Sequence, residues 1–251
     1  MTAGPKTRVD LLLVERGLVP SRERARAYIL AGRVLVNEQK IEKPGTVVAG
    51  DAAVRMLGED LPYVSRGGLK LAAALAHWQI AVGGRACLDV GASTGGFTDC
   101  LLQHGAAHVT AIDTGFGQIA MKLRNDPRVH LMERTNARLL EPGALAVAQG
   151  DSKLTLLVMD VSFISATLLL GPVLAAAPSL AEVVVLVKPQ FEAGRGNVGK
   201  GGIVRDPEAH RLAVDRVAQC VRLLGWQVVE TIPSPITGAE GNKEFLLYAR
   251  R

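Results

Sequence analysis

The run CLDVGASTGG, Cys87 to Gly96, constrains this chain more than any other segment. An apolar strand ends in an acid, Asp89, and breaks at once into a glycine-rich turn. An amphipathic stretch, Phe97 to His104, follows. Strand, glycine turn and helix in that order open the ligand crevice of a doubly wound α/β domain. Glycine at the turn lets the backbone approach a ligand where a Cβ would collide. Gly91, Gly95 and Gly96 do not follow G-x-G-x-x-G, the pattern that cradles a pyrophosphate. A second acid, Asp113, ends the next apolar run, HVTAID, and stands where a carboxylate grips ribose hydroxyls. The plain alternative for this segment is a tight turn in an ordinary α/β protein.

A ribose grip without a diphosphate cradle points to S-adenosylmethionine (SAM) as the ligand. The rest of the chain supports an α/β reading. LTLLVMD is a strand ending at Asp160, and VVVLVK is one ending at Lys188. A helix is expected over Leu69 to Trp78, and another over Arg211 to Leu224 with Asp206-Pro207 as its start signal. WQVVETI and EFLLYAR are the last strands. Alternation of strand and helix implies a parallel sheet flanked by helices. The loop Thr231 to Lys243 holds Pro233 and Pro235 and no helical crossover, so the final strand is expected to run antiparallel. Leu168 to Val187 is apolar over ~20 residues, the length of a membrane span. Pro172, Pro178 and Glu182 interrupt it, and it reads better as a buried helix followed by the strand EVVVLV.

Ligands of open α/β sheets gather beyond the carboxyl ends of the strands. Asp89, Asp113, Asp160 and Lys188 all end strands there. A reversed last strand begins at the same edge, which brings in Glu244, and Lys70 lies near the first turn of the preceding helix. Each is an ordinary strand or helix terminus by itself; together they form a candidate pocket rim. Methyl transfer to a hydroxyl needs an oxygen in line with the methyl–sulfur bond, a route for the proton and charge balance as a sulfonium becomes a thioether. Lys188 is the expected base, Lys70 the orienting group, and Asp160 and Glu244 set the geometry.

The first 57 residues differ in character. RVDLLLVERGL reads as a short helix, Ser21 caps a second helix from Arg22 to Ala31, and the strand-like pieces RVLVN, QKIEK and TVVAGDAAVRM follow. The domains are expected at 1–59 and 69–251, with a linker over 60–68 that leads out through Arg66. The net charge of +5 and pI near 9.3 favour an anionic partner. Arg22, Arg24 and Arg26 cannot share one narrow helix face. Three cysteines without metal-ligand spacing fit a reducing cytoplasm, with Cys87 a packing residue, and the segment MTAGPKTRVD has no apolar signal core. No metal site is expected. Gly194 to Lys200 spells G-x-x-x-x-G-K, but Gly201 stands where a phosphate loop needs Ser or Thr, so the stretch Pro189 to Asp206 reads as a cover or RNA-contacting flap. Phe163 and Phe191 are either core residues or stacking surfaces for a base.

The runs RVDLLLVERGL with SRERA, VSRGGLKL, CLDVGASTGGFTD, GQIAMKLRNDPRV, ERTNAR, DVSFIS, VLVKPQFE and GNKEFLLY occur in order. Through them the chain resembles the TlyA ribosomal RNA methyltransferases over essentially its full length. The resemblance implies a Rossmann-like, SAM-dependent methyltransferase domain of FtsJ type, mostly parallel with an antiparallel last strand. A small α+β RNA-binding domain of ribosomal-protein type precedes it. It implies 2′-O-methylation of a cytidine in ribosomal RNA, with ribosomal RNA or a ribosomal subunit as partner, and no DNA or membrane partner. The family's catalytic tetrad falls on Lys70, Asp160, Lys188 and Glu244. The SAM pocket falls on Asp89, Gly91, Ser93, Thr94, Gly95, Gly96, Asp113 and Asn136. RNA contacts fall on Arg8, Arg22 and Lys43, with Arg66 added at the linker exit. The linker text DLPYV places Tyr63 where some members carry the tryptophan of an R-x-W-V motif. The chain ends directly after the last strand, as in the shorter subgroup, which favours large-subunit RNA as substrate. Competing readings are a ribosome-binding module with an inactive methyltransferase domain, a membrane-active haemolysin and a dinucleotide-dependent oxidoreductase.

Overall fold

A computed structural model describes residues 5–57, 62–145, 152–238 and 241–251. The chain divides into two compact units, Met1–Arg66 and Gly67–Arg251. The start of the linker expected over 60–68 lies outside the described residues.

In the first unit, β1 (Lys6–Arg8) leads into α1 (Val9–Glu15) and α2 (Arg22–Leu30). Val9, Leu12 and Leu13 are buried, the i, i+3, i+4 spacing of a single helix face. Ser21 caps α2 as expected, its hydroxyl accepting from Arg24 N at 3.2 Å. The strands β2 (Val34–Val36), β3 (Gln39–Lys40), β4 (Val47–Ala49) and β5 (Val54–Met56) form two small antiparallel sheets. The run TVVAGDAAVRM is therefore two strands rather than one. It turns at Gly50 and Asp51, with β4 pairing with β1 and β5 with β2.

The second unit starts with α3 (Gly67–His77) and is built on β6 (Ala86–Val90), β7 (His108–Ile112), β8 (Val129–Met132), β9 (Leu154–Met159), β10 (Glu182–Val187), β11 (Gln227–Pro233) and β12 (Phe245–Arg250). Their order is β11-β12-β10-β9-β6-β7-β8. β12 alone is reversed: it pairs antiparallel with both β10 and β11, and the other pairings are parallel. All five residues of β6 are buried, as a central strand covered on both faces requires. The remaining helices are α4 (Gly96–Gln103), α5 (Met121–Arg124), α6 (Thr167–Ala176), α7 (Pro189–Glu192) and α8 (Pro207–Leu223). Pro172 sits inside α6 without ending it, because Leu169, Leu170 and Val173 anchor that helix in the core. The helix ends at Ala176, two residues before Pro178. No described helix is long and apolar enough to cross a membrane.

Candidate active site

Strand order reverses between β6 and β9, and the crevice forms there. Gly91 leaves β6 with φ +88°, its N–H donating to Ile112 O at 2.9 Å. A Cβ at Gly91 would lie 2.4 Å from the backbone oxygen of Asp160, so the turn and the end of β9 touch backbone to backbone. Ser93 and Thr94 carry the turn onward, and Gly95, with φ +95°, caps α4 just before Gly96. Asp89 points away from solvent: it is fully buried and accepts from Thr98 Oγ1 at 2.6 Å, while its Oδ1 has no hydrogen-bond partner among the described residues. Burial, with the charges of Asp160 and Asp113 behind it, pushes this carboxyl up to about 7 against the Thr98 hydrogen bond. Cys87 is also fully buried, and burial pushes its thiol up to about 12, so it packs rather than reacts.

Asp113 is held by two backbone donors. Ser93 N reaches Oδ2 at 2.8 Å and Gly115 N reaches Oδ1 at 2.6 Å. Each oxygen keeps a further lone pair able to accept another hydrogen bond. Thr135 N donates to Asp113 O at 3.0 Å, which lays the ERTNAR segment beside the strand end. Asn136 is exposed there, its side-chain oxygen taking Arg138 N at 3.1 Å.

The four tetrad residues form two ion pairs at one sheet edge. Lys70 Nζ donates to Glu244 Oε2 at 2.5 Å, with Lys70 8% and Glu244 4% exposed. Lys188 Nζ lies 2.6 Å from Asp160 Oδ1, a charge contact off the line of a hydrogen bond, and donates to Ser162 Oγ at 2.8 Å. The register of β10 and β12, Val187 opposite Phe245, places Lys188 and Glu244 across from each other just past the last pair. The reversal of β12 thus delivers Glu244 to the edge where Asp160 and Lys188 end their strands.

Sequence reasoning missed how the neighbouring loops are held. Glu192, 3% exposed, accepts from Ser165 Oγ at 2.5 Å and Ala166 N at 2.7 Å, fastening the loop after β9 to α7. Desolvation raises the Glu192 carboxyl, and those hydrogen bonds oppose the rise. Phe163 is no core residue: it is 92% exposed with φ +66°, a conformation uncommon for a non-glycine, aromatic residue. Its ring centroid stands 5.5 Å from that of Phe191, and both line a cavity of about 630 Å³ with Gln190 and Leu168. The G-x-x-x-x-G-K stretch makes two short 3-10 turns, not the loop-to-helix junction of a phosphate cradle.

In the first unit, buried Asp10 gathers two of the four candidate RNA contacts. Arg8 Nε and Nη2 bind its two oxygens, each at 2.9 Å, and Arg22 Nε binds Oδ2 at 2.9 Å. The Arg8 hydrogen bonds, helped by Arg22, hold this carboxyl at about 2 despite its burial. The Arg8 guanidinium also lies against Gly45, in the turn closed by Thr46 N donating to Lys43 O, so Lys43 borders the same cluster. Arg66 stands apart, half-buried one residue before α3, with no ion pair among the described residues. Arg24 donates to Tyr63 O at 2.5 Å and covers the Tyr28 ring. Arg26 is exposed, so the three arginines of α2 take three directions.

A parallel sheet with one reversed strand inside its edge, a glycine turn without a pyrophosphate pattern and an acid at the next strand end define a Rossmann-like, SAM-dependent methyltransferase. Comparison with known proteins agrees. The FtsJ-like methyltransferase model matches residues 63–251 and the S4 domain model matches residues 7–54. The 16S/23S rRNA (cytidine-2′-O)-methyltransferase TlyA of Mycobacterium tuberculosis is 47% identical over 98% of this chain and 90% of its own length. Hemolysin A of Brachyspira hyodysenteriae is 39% identical over 96% of this chain and 98% of its own. A solved structure from Streptococcus thermophilus, described under the hemolysin name, superposes with a TM-score of 0.75 at 42% identity, covering 99% of this chain and 90% of that one. The chain belongs to the TlyA family of FtsJ-like methyltransferases that carry an S4 domain.

Proposed function

We propose that this protein transfers a methyl group from SAM to the 2′-oxygen of a cytidine ribose in ribosomal RNA, and works in the cytoplasm on RNA or a ribosomal subunit. The observation that carries this reading is the meeting of the Lys70–Glu244 and Lys188–Asp160 pairs at the edge that also holds the Gly91 turn. The residues fit the cofactor. A Cβ-free turn lies against Asp160, Asp113 is fixed with lone pairs to spare, and acidic groups surround the place of a sulfonium. Gly91, Ser93, Thr94, Gly95 and Gly96 would hold it from the turn, with Asp113 and Asn136 at the ribose and base, and Asp89 bracing the turn from behind.

When bound, SAM supplies a methyl group on a positively charged sulfur. Lys188, as a neutral amine, would take the proton of the 2′-hydroxyl that receives the methyl group. Asp160 and Ser162 fix the Lys188 amine, and Lys70, held by Glu244, donates to the reacting oxygen and orients it. Phe163 and Phe191 offer stacking faces beside this point for a base swung out of its strand. Arg8, Arg22, Lys43 and Arg66 supply phosphate contacts.

The test is transfer of labelled methyl from SAM to ribosomes and ribosomal RNA from cells lacking the protein, followed by mapping of the modified nucleotide. The expected product is a 2′-O-methylated cytidine. Label on a base nitrogen or carbon, or no label on ribosomal RNA, overturns the reading.

A further inference from the structure

We infer that the cavity between the 202–205 segment and the 241–243 loop of the methyltransferase unit is a subsite for a phosphodiester of the RNA substrate. This rests on the reading above and adds a contact surface that neither the S4 unit nor the tetrad supplies. The cavity, about 330 Å³, is lined by Ile203, Val204, Arg205, His210, Gly241 and Lys243. A water takes roughly 30 Å³ in the liquid, so a phosphate fits with several waters.

Its walls are fixed. Asn242, 3% exposed, accepts from Val204 N at 3.1 Å and donates to Gly202 O at 3.0 Å. His210, 7% exposed, bonds through Nε2 to Val204 O at 2.9 Å and rests against Phe245. Gly238 N donates to Asn242 O at 2.8 Å. Two buried polar side chains thus clamp the backbone that bears Arg205 and Lys243.

The cations themselves are exposed and unpaired among the described residues. Among the described residues, the carboxylates on either side are engaged elsewhere. Asp206 caps α8 by taking Glu208 N at 3.0 Å, Glu208 binds Arg211, and Glu244 binds Lys70. Anchored backbone and two cations from separate loops, with no lining carboxylate among the described residues, make a receptor for an anion, not a stabilising ion pair. Its position names the anion. The loop that bears Lys243 also packs Gly238 against the Glu244 carboxylate, so a phosphate bound here belongs to the strand that feeds the tetrad.

The test compares Arg205→Ala, Lys243→Ala and the double variant with Arg222→Ala, which removes an exposed cation at the other end of α8. RNA affinity is measured against salt, along with methyl-transfer kinetics and SAM affinity. Each single variant should flatten the slope of log K against log salt by about one, and the double variant by about two. The double variant should raise KM for RNA roughly tenfold, the size of one lost charged hydrogen bond, with SAM affinity unchanged. Arg205→Lys should restore most of the loss at that position. A double variant matching Arg222→Ala in slope and KM, while wild-type protein methylates ribosomal RNA, overturns the subsite alone. Wild-type protein that methylates no ribosomal RNA overturns the reading beneath it.

Discussion

Lys188 and Asp89 carry opposite lessons about a buried charge. Lys188 is nearly enclosed yet partnered, by Asp160 at 2.6 Å and Ser162 at 2.8 Å, and it stands at the strand edge. Positioned proton transfer is worth ~10²–10⁴ in rate. Lys188→Ala should therefore lower kcat by at least ~10², with SAM affinity measured by calorimetry largely kept; near-normal turnover removes Lys188 from the role of base. Asp89 is enclosed and half-satisfied, and its carboxyl is pushed up to about 7. In the unfolded chain the same group titrates near ~3.9. Between these values the folded protein holds a proton that the unfolded chain has released, so stability falls as pH rises from about 4 to about 7. Asp89→Asn keeps an acceptor for Thr98 and removes the titration. Denaturant melts at pH 5 and pH 8 should show a smaller loss of stability in the variant, by an amount on the order of 1.4 kcal/mol for each pH unit between 5 and the folded value near 7. Identical losses in both proteins contradict the assignment. Asp10 is the reverse case. Held at about 2, it contributes stability that is present above ~3.9 and lost only as pH falls toward 2.

The turn after β6 shows what a single element can demand of one position. Gly91 needs both a left-handed backbone and an absent Cβ, since that atom would meet Asp160 O at 2.4 Å. Gly84 also has a positive φ, +74°, but nothing within 4 Å of the missing Cβ. Alanine at either site pays ~1–2 kcal/mol of backbone strain. Only at Gly91 must the ends of β6 and β9 also separate. Gly91→Ala should abolish SAM binding and methyl transfer, while Gly84→Ala lowers Tm by a few degrees and leaves both; equal effects contradict a close-packed turn. This element was legible because a buried strand, a glycine cluster and an amphipathic helix are each local patterns. The reversal of β12 was legible for the same reason, since the sequence leading into it from β11, with Pro233 and Pro235, offers no α-helical crossover. What stayed hidden depends on partners distant in sequence. Nothing local marks β8 or the four-residue α7. Phe163 reads as an apolar residue until the loop after β9, fastened by Glu192, is seen to turn it outward. The clamps made by Asp10 and Asn242 join residues that sequence spacing does not pair.

Across the whole chain the charge is divided by task. The excess of +5 is modest, and what matters is where cations lack committed partners. Within the methyltransferase unit Lys70 and Lys188 are spent on carboxylates in the site. In the S4 unit Arg8 and Arg22 share one buried carboxylate but remain about half exposed, at 44% and 50%. They are oriented by Asp10 and still open to phosphate. If Arg8, Arg22, Lys43 and Arg66 each neutralise one phosphate, they contribute about −3 to −4 to the slope of log K for RNA against log salt, with the share of Arg205 and Lys243 added to it. Raising salt fourfold, from about 50 to 200 mM, should then weaken RNA binding by at least roughly 10²-fold. If SAM is held by the Asp113 carboxylate and the backbone turn, as proposed, it releases no comparable counterion layer, and its affinity should change by less than about twofold. Methyl transfer should accordingly fail in salt through KM for RNA while kcat holds. Filter binding to ribosomal RNA, with calorimetry on SAM over the same salt range, separates the two. A flat RNA curve contradicts the assignment of these cations to phosphate, and a parallel fall in SAM affinity contradicts the division of labour between the units.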